Sequence, residues 1–161
     1  NDSTRNAIEN VVWNLGGSST YDDVTASMFY ERERGTTVYS GRPTTWTGKI
    51  GLMYPSDYGY ATGGGWKNDR ETCLANRFSN WYKFEDCYDN DYLFKSSYSQ
   101  WTLASYSPDD CSVFYVDSIG TVYGNNPFFS LGVRPALFLK SSISISGGTG
   151  SMFSPYQLSI K

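Results

Sequence analysis

The chain has no histidine among its 161 residues. That excludes the Ser-His-Asp and Cys-His arrangements that activate a nucleophile. Most zinc centres go with them, because three cysteines alone rarely complete one. No apolar run approaches the ~20 residues that a membrane-spanning helix needs. Membrane attachment is therefore expected only through an N-terminal segment missing from this sequence. Net charge is −3 and no basic stripe is present, which argues against nucleic acid as a partner. No signal peptide opens the chain, so an exported protein is expected here in mature or truncated form. No linker and no internal repeat divides it, and residues 1–161 read as a single domain.

Cysteine is scarce as well. Cys73 and Cys87 lie close in sequence and Cys111 is the odd one. Two readings stand at this point. A structural disulfide would place the protein in an oxidising, extracellular setting. Three buried thiols would suit a reducing one.

Aromatics and glycine are abundant: 14 Tyr, 9 Phe, 5 Trp and 16 Gly. That composition suits a loop-rich β domain. Tyrosine lines strands well, and it also gives contact area at low entropic cost in binding loops.

Apolar spacing at Ile8, Val11, Val12 and Leu15 predicts a helix over Thr4–Leu15, ended by Gly16-Gly17. A second helix is expected over Tyr21–Arg34, with Val24, Met28 and Phe29 on its apolar side and Gly35 as its stop. Beyond Gly35 the helical period disappears. Strands are expected at Lys49–Tyr54, Gln100–Ala104, Ser112–Val116, Thr121–Tyr123 and Gly132–Leu139. The bend Asp117-Ser118-Ile119-Gly120 joins the third and fourth as a hairpin. Helices followed by strands make the class α+β.

The last predicted strand carries Arg134-Pro135 inside the most apolar run of the chain. Pro135 lacks an amide donor, so the strand should be an edge or locally unpaired there. Arg134 is expected to be partly buried and to need carboxylate or carbonyl partners. Its expected role is a structural clamp on a nearby loop.

The order "ERGTTVYSGRPTTWTGKIGLMYPSDYGYAT", "CLANRFSNWYKFEDCYDNDYLF", "QWTL", "VFYVDSIGTVYG" and "GVRPALFLKSSISISGGTGS" resembles the C-terminal domain of a family of Gram-positive surface proteins. Those domains are often carried on a type IV pilin-like N-terminal segment. The "VRPAL.L" strand and the hairpin before it also resemble the formylglycine-generating-enzyme-like branch of the C-type lectin fold. The resemblance covers nearly all of the chain. It implies a C-type lectin-like fold, N-terminal helices followed by a loop-rich, mainly antiparallel sheet. It implies a Cys73–Cys87 disulfide with Cys111 unpaired. It also implies that residues 1–17 are the tail of a pilin-like helix, and that the protein acts at the cell surface.

Departures from that fold's active members matter equally. The catalytic branch uses a close cysteine pair, and Cys111 has no cysteine neighbour in sequence. The calcium-binding Glu-Pro-Asn and Gln-Pro-Asp loops of lectins are absent, and "WKNDRE" is only a loose echo of their second motif. Calcium-dependent sugar binding, an enzyme activity, a cofactor and a metal are therefore not expected. The acidic group Glu85, Asp86, Asp89 and Asp91 lacks the spacing of a calcium loop and reads as a solvated face. "GYATGGGWKNDRET" reads as a mobile surface loop. Met53, Tyr54 and Tyr58 read as packing residues.

From Ala104 to Ser130 there is no Lys, Glu, Gln, Met or Trp, types that make up 21 of the 161 residues. An Asn codon mutated at its adenines cannot reach those five. Some C-type lectin-fold proteins are diversified in that way ahead of a fixed final strand. A turn-rich hairpin gives the same composition, and both readings stand. The expected binding surface is Tyr106, Asp109, Asp110, Tyr115, Asp117, Tyr123, Asn125, Asn126, Phe128 and Phe129: turn-borne aromatics beside adjustable polar groups. The expected partner is a protein or glycan ligand. The alternative is a filament subunit whose partner is its own copy, and a formylglycine-generating-type enzyme ranks last.

Overall fold

The computed structural model describes residues 2–88, 93, 97–151 and 153–160. About 23% of the chain is helix and 31% strand, in a mixed α and β arrangement of small, mostly antiparallel sheets. The elements are α1 (Asp2–Ala7), β1 (Val11–Asn14), α2 (Ala26–Glu33), β2 (Thr45–Gly48), β3 (Ile50–Leu52), α3 (Pro55–Tyr60) and α4 (Arg70–Ala75). A 3-10 helix (Phe78–Lys83) and α5 (Glu85–Tyr88) follow. Then come β4 (Gln100–Ser105), β5 (Val113–Val116), β6 (Val122–Asn125), β7 (Pro135–Leu137), β8 (Ile143–Gly147) and β9 (Gln157–Ile160).

The strands form four antiparallel groups: β1–β2, β3–β7, β4–β5–β6 and β8–β9. Single backbone bonds join the groups. Leu103 N donates to Met53 O at 3.0 Å, and Trp101 N donates to Gly132 O at 2.9 Å. Residues from distant ends of the sequence clasp as well. Glu9 N donates to Phe138 O at 2.8 Å, and Lys140 N donates to Ala7 O at 3.0 Å.

The first predicted helix is corrected. It stops at Ala7, and Val11–Asn14 is a strand in register with Thr45–Gly48. The apolar spacing reflects a strand: β-branched Val11 and Val12 pack better on a pleated surface than in a helix. Trp13 is buried under Phe138, 5.5 Å between ring centroids, and its indole N–H donates to Gly48 O at 3.0 Å. The segment expected to be a pilin-like helical tail, 1–17, is therefore helical only over Asp2–Ala7.

The second helix is shorter than expected but sits in place. Thr25 caps it, its hydroxyl accepting from Met28 N at 3.4 Å. Val24 and Phe29 are buried, and Met28 packs beside them. A correction applies to the stretch after Gly35, where three α-helices and a 3-10 helix lie between residues 55 and 88. These helices have four to six residues, too few to show a period. Their signals were local. Pro55 opens α3, where a missing N–H is no loss. The Asp57 carboxylate accepts from Tyr54 N at 2.9 Å, and that of Asp69 accepts from Thr72 N at 2.8 Å.

The core joins α2, α3, the 3-10 helix and the inner face of β4–β5–β6. Phe29 meets Phe114 at 4.9 Å between centroids and Phe78 at 5.7 Å. Phe78 and Tyr58 pack on Trp81 at 4.8 and 5.3 Å. Gly59 permits the close approach of α3: a Cβ there would lie 2.5 Å from Phe78 and 2.6 Å from Ala26. The hairpin bend is as expected. Gly120 takes φ +82°, and its carbonyl accepts from the buried Tyr58 hydroxyl at 3.0 Å.

Cys73 and Cys87 are bridged, and both are buried in this core. Cys111 is free and exposed. The bridge ties α4 to α5 across 14 positions. Replacing both cysteines by Ala should lower unfolding free energy by about 3 kcal/mol, measured by urea titration. Equal midpoints for the two proteins would contradict a structural role.

Candidate functional site

Alternation along β5 and β6 sets up two faces. Phe114 and Val116 point into the core, together with Val122 of β6. Val113, Tyr115, Tyr123 and Asn125 take the opposite face, because side chains alternate along a strand. The register places Tyr115 opposite Tyr123 and Val113 opposite Asn125. Trp101 of β4 lies opposite Tyr115, with 5.9 Å between ring centroids. An aromatic row, Trp101–Tyr115–Tyr123, therefore crosses all three strands. Trp101 is buried, and the two tyrosines are half-buried. Burial raises the Tyr115 hydroxyl above its ordinary value, helped by Asp117 and Tyr123 and opposed by a hydrogen bond with Asn125. That hydroxyl is protonated at neutral pH.

The outer face runs into a cleft of about 340 Å³. Leu103 and Val113 line it from the sheet, and Tyr39, Arg42 and Pro43 from the loop before β2. Asp109, Asp110, Cys111 and Pro127 close the far wall. The Arg42 guanidinium donates to Asp110 O at 2.7 Å and holds the two loops together. Beside the cleft, the Asn126 side chain accepts from Phe128 N at 3.0 Å, which fixes the turn around Pro127. That turn displays Phe128 at 92% exposure and Phe129 at 58%.

Of the ten expected ligand residues, Tyr115, Tyr123 and Asn125 share the outer face. Asp109 and Asp110 line the cleft, and Asn126, Phe128 and Phe129 form the adjacent turn. Tyr106 and Asp117 are placed elsewhere. Tyr106 packs on the core, 5.9 Å from Phe114, and on Tyr21 at 5.8 Å. The Asp117 carboxylate is spent on its own bend, accepting from Ile119 N at 2.9 Å, from Thr121 N at 2.8 Å and from the Thr121 hydroxyl. The sequence reading missed Trp101, Tyr39, Arg42 and Pro43. Gly41-Arg42-Pro43 was the available signal, a turn tripeptide with Gly41 at φ +82°.

Cys111 sits in the cleft wall, but its thiol is not activated. Partial desolvation, then the Asp109 and Asp110 carboxylates, push it above its ordinary value. The thiolate is the nucleophile, so this thiol is a poor one at neutral pH.

Arg134 is half-buried, and its Nε donates to the side-chain carbonyl of Gln100 at 2.9 Å. Gln100 in turn donates to Leu93 O at 3.3 Å. The clamp therefore acts through a neutral amide. The run around Arg134 is not a buried strand. Val133 is 65% exposed, and Leu137, Phe138 and Leu139 are also exposed. With one half-exposed hydrogen bond from the guanidinium to a neutral amide at stake, Arg134→Ala should lower stability by about 1–2 kcal/mol. A loss above about 3 kcal/mol in denaturant titration would mean a buried charged partner instead.

The glycine-rich loop is pinned. Asp86 accepts from Lys67 N at 2.8 Å and Asn68 N at 2.9 Å, and Arg70 donates to Thr62 O and Tyr60 O at 3.1 Å each. Of the acidic group, Asp86 holds this loop and Glu85 is exposed. Asp89 and Asp91 lie outside the described residues.

Glu33, a buried carboxyl group away from this site, was also passed over by sequence reading. It falls four positions after Phe29, on the buried stripe of α2. Its carboxylate accepts from Ser56 N at 2.9 Å and from the Ser56 hydroxyl, which ties α2 to the first turn of α3. Arg34 lies 3.3 Å away and stacks over the Tyr30 ring. Desolvation pushes the Glu33 carboxyl up to about 7, against the hydrogen bonds from Ser56. The folded value lies above the unfolded one. Its stabilising contribution is therefore full below pH 4.5 and is lost as pH rises through 7. Stability of the natural protein relative to Glu33→Gln should fall by up to about 3 kcal/mol between pH 4.5 and 8. A pH-independent difference between the two denaturation curves would contradict the burial account.

Comparison of the chain with family models, with curated proteins and with solved structures gives no match.

Proposed function

We propose that this chain is an extracellular, non-enzymatic binding domain of C-type lectin-like architecture. Its ligand lies across the outer face of β4–β5–β6 and in the cleft beside it. The observation that carries this reading is the aromatic row Trp101–Tyr115–Tyr123, continued into a cleft with Arg42, Asp109 and Asp110 at its rim. Tyr115 and Tyr123, braced by the buried Trp101, offer apolar contact there, and the cleft rim adds charged groups of both signs to fix orientation, which suits a protein loop or a glycan. The disulfide fits an oxidising setting. The protonated Cys111 thiol and the absence of histidine fit a non-catalytic role. Resemblance to surface-protein C-terminal domains favours display on a pilin-like stalk.

The test is capture on glycan and protein arrays, followed by one double variant. Phe128 and Phe129 are exposed and make no ring contact with a core residue among the described residues, so replacing both by Ala should leave melting temperature within about 2 °C. Capture should weaken at least about tenfold, the loss expected when a binding anchor is removed. Unchanged capture would remove the turn from the binding surface, and unchanged capture in Tyr115→Ala as well would remove the whole face.

A further inference from the structure

The β8–β9 hairpin is the least covered part of the fold. Its register pairs Ile143 with Ile160 and Ile145 with Leu158, so these four side chains share one face. Ser144 and Ser159 share the other, with their hydroxyls 3.1 Å apart. The apolar face is open: Ile145 is 60% exposed, Leu158 50% and Ile160 64%. Phe153 and Tyr156, between the two strands, are exposed by 91% and 56%. Among the described residues the chain covers this face at one side, where α1 leaves a groove of about 230 Å³ between Thr4, Ala7 and the hairpin. Each strand also has an outer edge that no other strand pairs with among the described residues.

Residues 141–160 contain no charged side chain. Natural edge strands are usually guarded by Lys, Glu, Pro or a covering element. Here neither strand has a charge or a proline. We infer that this apolar hairpin face is a self-association surface whose occupant is the same face of a second copy of the chain.

Three observations favour that occupant. A patch without charge meets its own copy with no like-charge repulsion, although each chain carries a net −3. The Ile/Leu pattern is self-complementary under a two-fold axis, the arrangement most homo-oligomers use. The area is also sufficient for a weak contact. Aliphatic side chains of this size carry on the order of 100 Å² and aromatic ones about 150–250 Å². At the exposures above, the three aliphatic side chains on this face offer roughly 170 Å² per copy, and Phe153 and Tyr156 in the connection bring the hairpin's exposed apolar total to roughly 500 Å², below the ~800 Å² of a standard interface before backbone is added. The contact should therefore be weak and concentration-dependent. A membrane suits the patch less well, because surface-lying segments carry Lys or Arg at their polar face and this hairpin carries neither. The inference does not depend on the ligand-binding reading, since the hairpin contributes no residue to that cleft.

The test is sedimentation equilibrium of the whole chain from about 1 μM to 1 mM, the range in which a contact below standard size operates. The expected result is a mass near one 18.1 kDa chain at the dilute end, rising towards twice that at the concentrated end. Ile145→Lys should hold the chain at single mass throughout. Leu158→Lys, on the paired strand, should do the same, so that misfolding of one variant leaves the other to decide. Circular dichroism checks that each is folded. Single mass for the natural chain at every concentration overturns the inference, whether or not the hairpin then binds vesicles. Self-association that persists in a folded Lys variant overturns it too.

Discussion

Phe29 and Phe114 meet nearly at right angles with 4.9 Å between ring centroids, and the rest of the molecule is arranged around that contact. It joins the buried stripe of α2 to the inner face of β5. Phe78 extends it to the 3-10 helix, and Tyr58 and Trp81 extend it to α3 and to the disulfide region. Small sheets of two or three strands bury little surface by themselves. Here the β4–β5–β6 sheet is supported because one aromatic cluster is shared between its inner face and the helices packed on it. The outer face of β4–β5–β6 inherits its rigidity from that cluster, since alternate residues of β5 point into it.

Glu33 shows the same dependence from the polar side. A carboxylate at a fully buried position would be strongly unfavourable alone. Two donors from Ser56 and the flanking Arg34 make it tolerable, and the result fixes where α3 begins. Tyr58, one turn further along α3, then carries that placement to the bend at Gly120. Asp117 completes the bend from within. A chain of specific polar contacts thus runs from α2, through α3, to the end of the hairpin that presents Tyr115 and Tyr123.

Much of this was legible in the sequence. The β5–β6 hairpin, its bend and the positive φ of Gly120 follow from β-rich arms around Asp-Ser-Ile-Gly. The coarse class, helices mixed with small antiparallel strands, was legible, although the expected order of helices first and strands second was not met. Three things were not legible, each for a physical reason. Val11–Asn14 has spacing that fits a helix or a strand, and only its partner at Thr45–Gly48, far along the chain, decides between them. Helices of four to six residues, such as α3, carry no period and are marked only by caps. Ile143-Ser-Ile-Ser does alternate, but the surrounding serine and glycine hid the strand. For the site, local reading found turn-borne aromatics. It could not see that Arg42 and Tyr39 would cross to the cleft, nor that Asp117 would spend its carboxylate on its own turn.

The outer face rests on a single cooperative unit formed by α2, α3, β5 and β6 around the aromatic cluster. Native-state hydrogen exchange in increasing denaturant measures this residue by residue. The amides of Phe29, Tyr58 and the β5–β6 ladder should converge on one opening free energy, equal to that of global unfolding, while those of β8–β9 open earlier. Exchange of the β5–β6 amides through an independent, lower-energy opening, with α2 still protected, would contradict it.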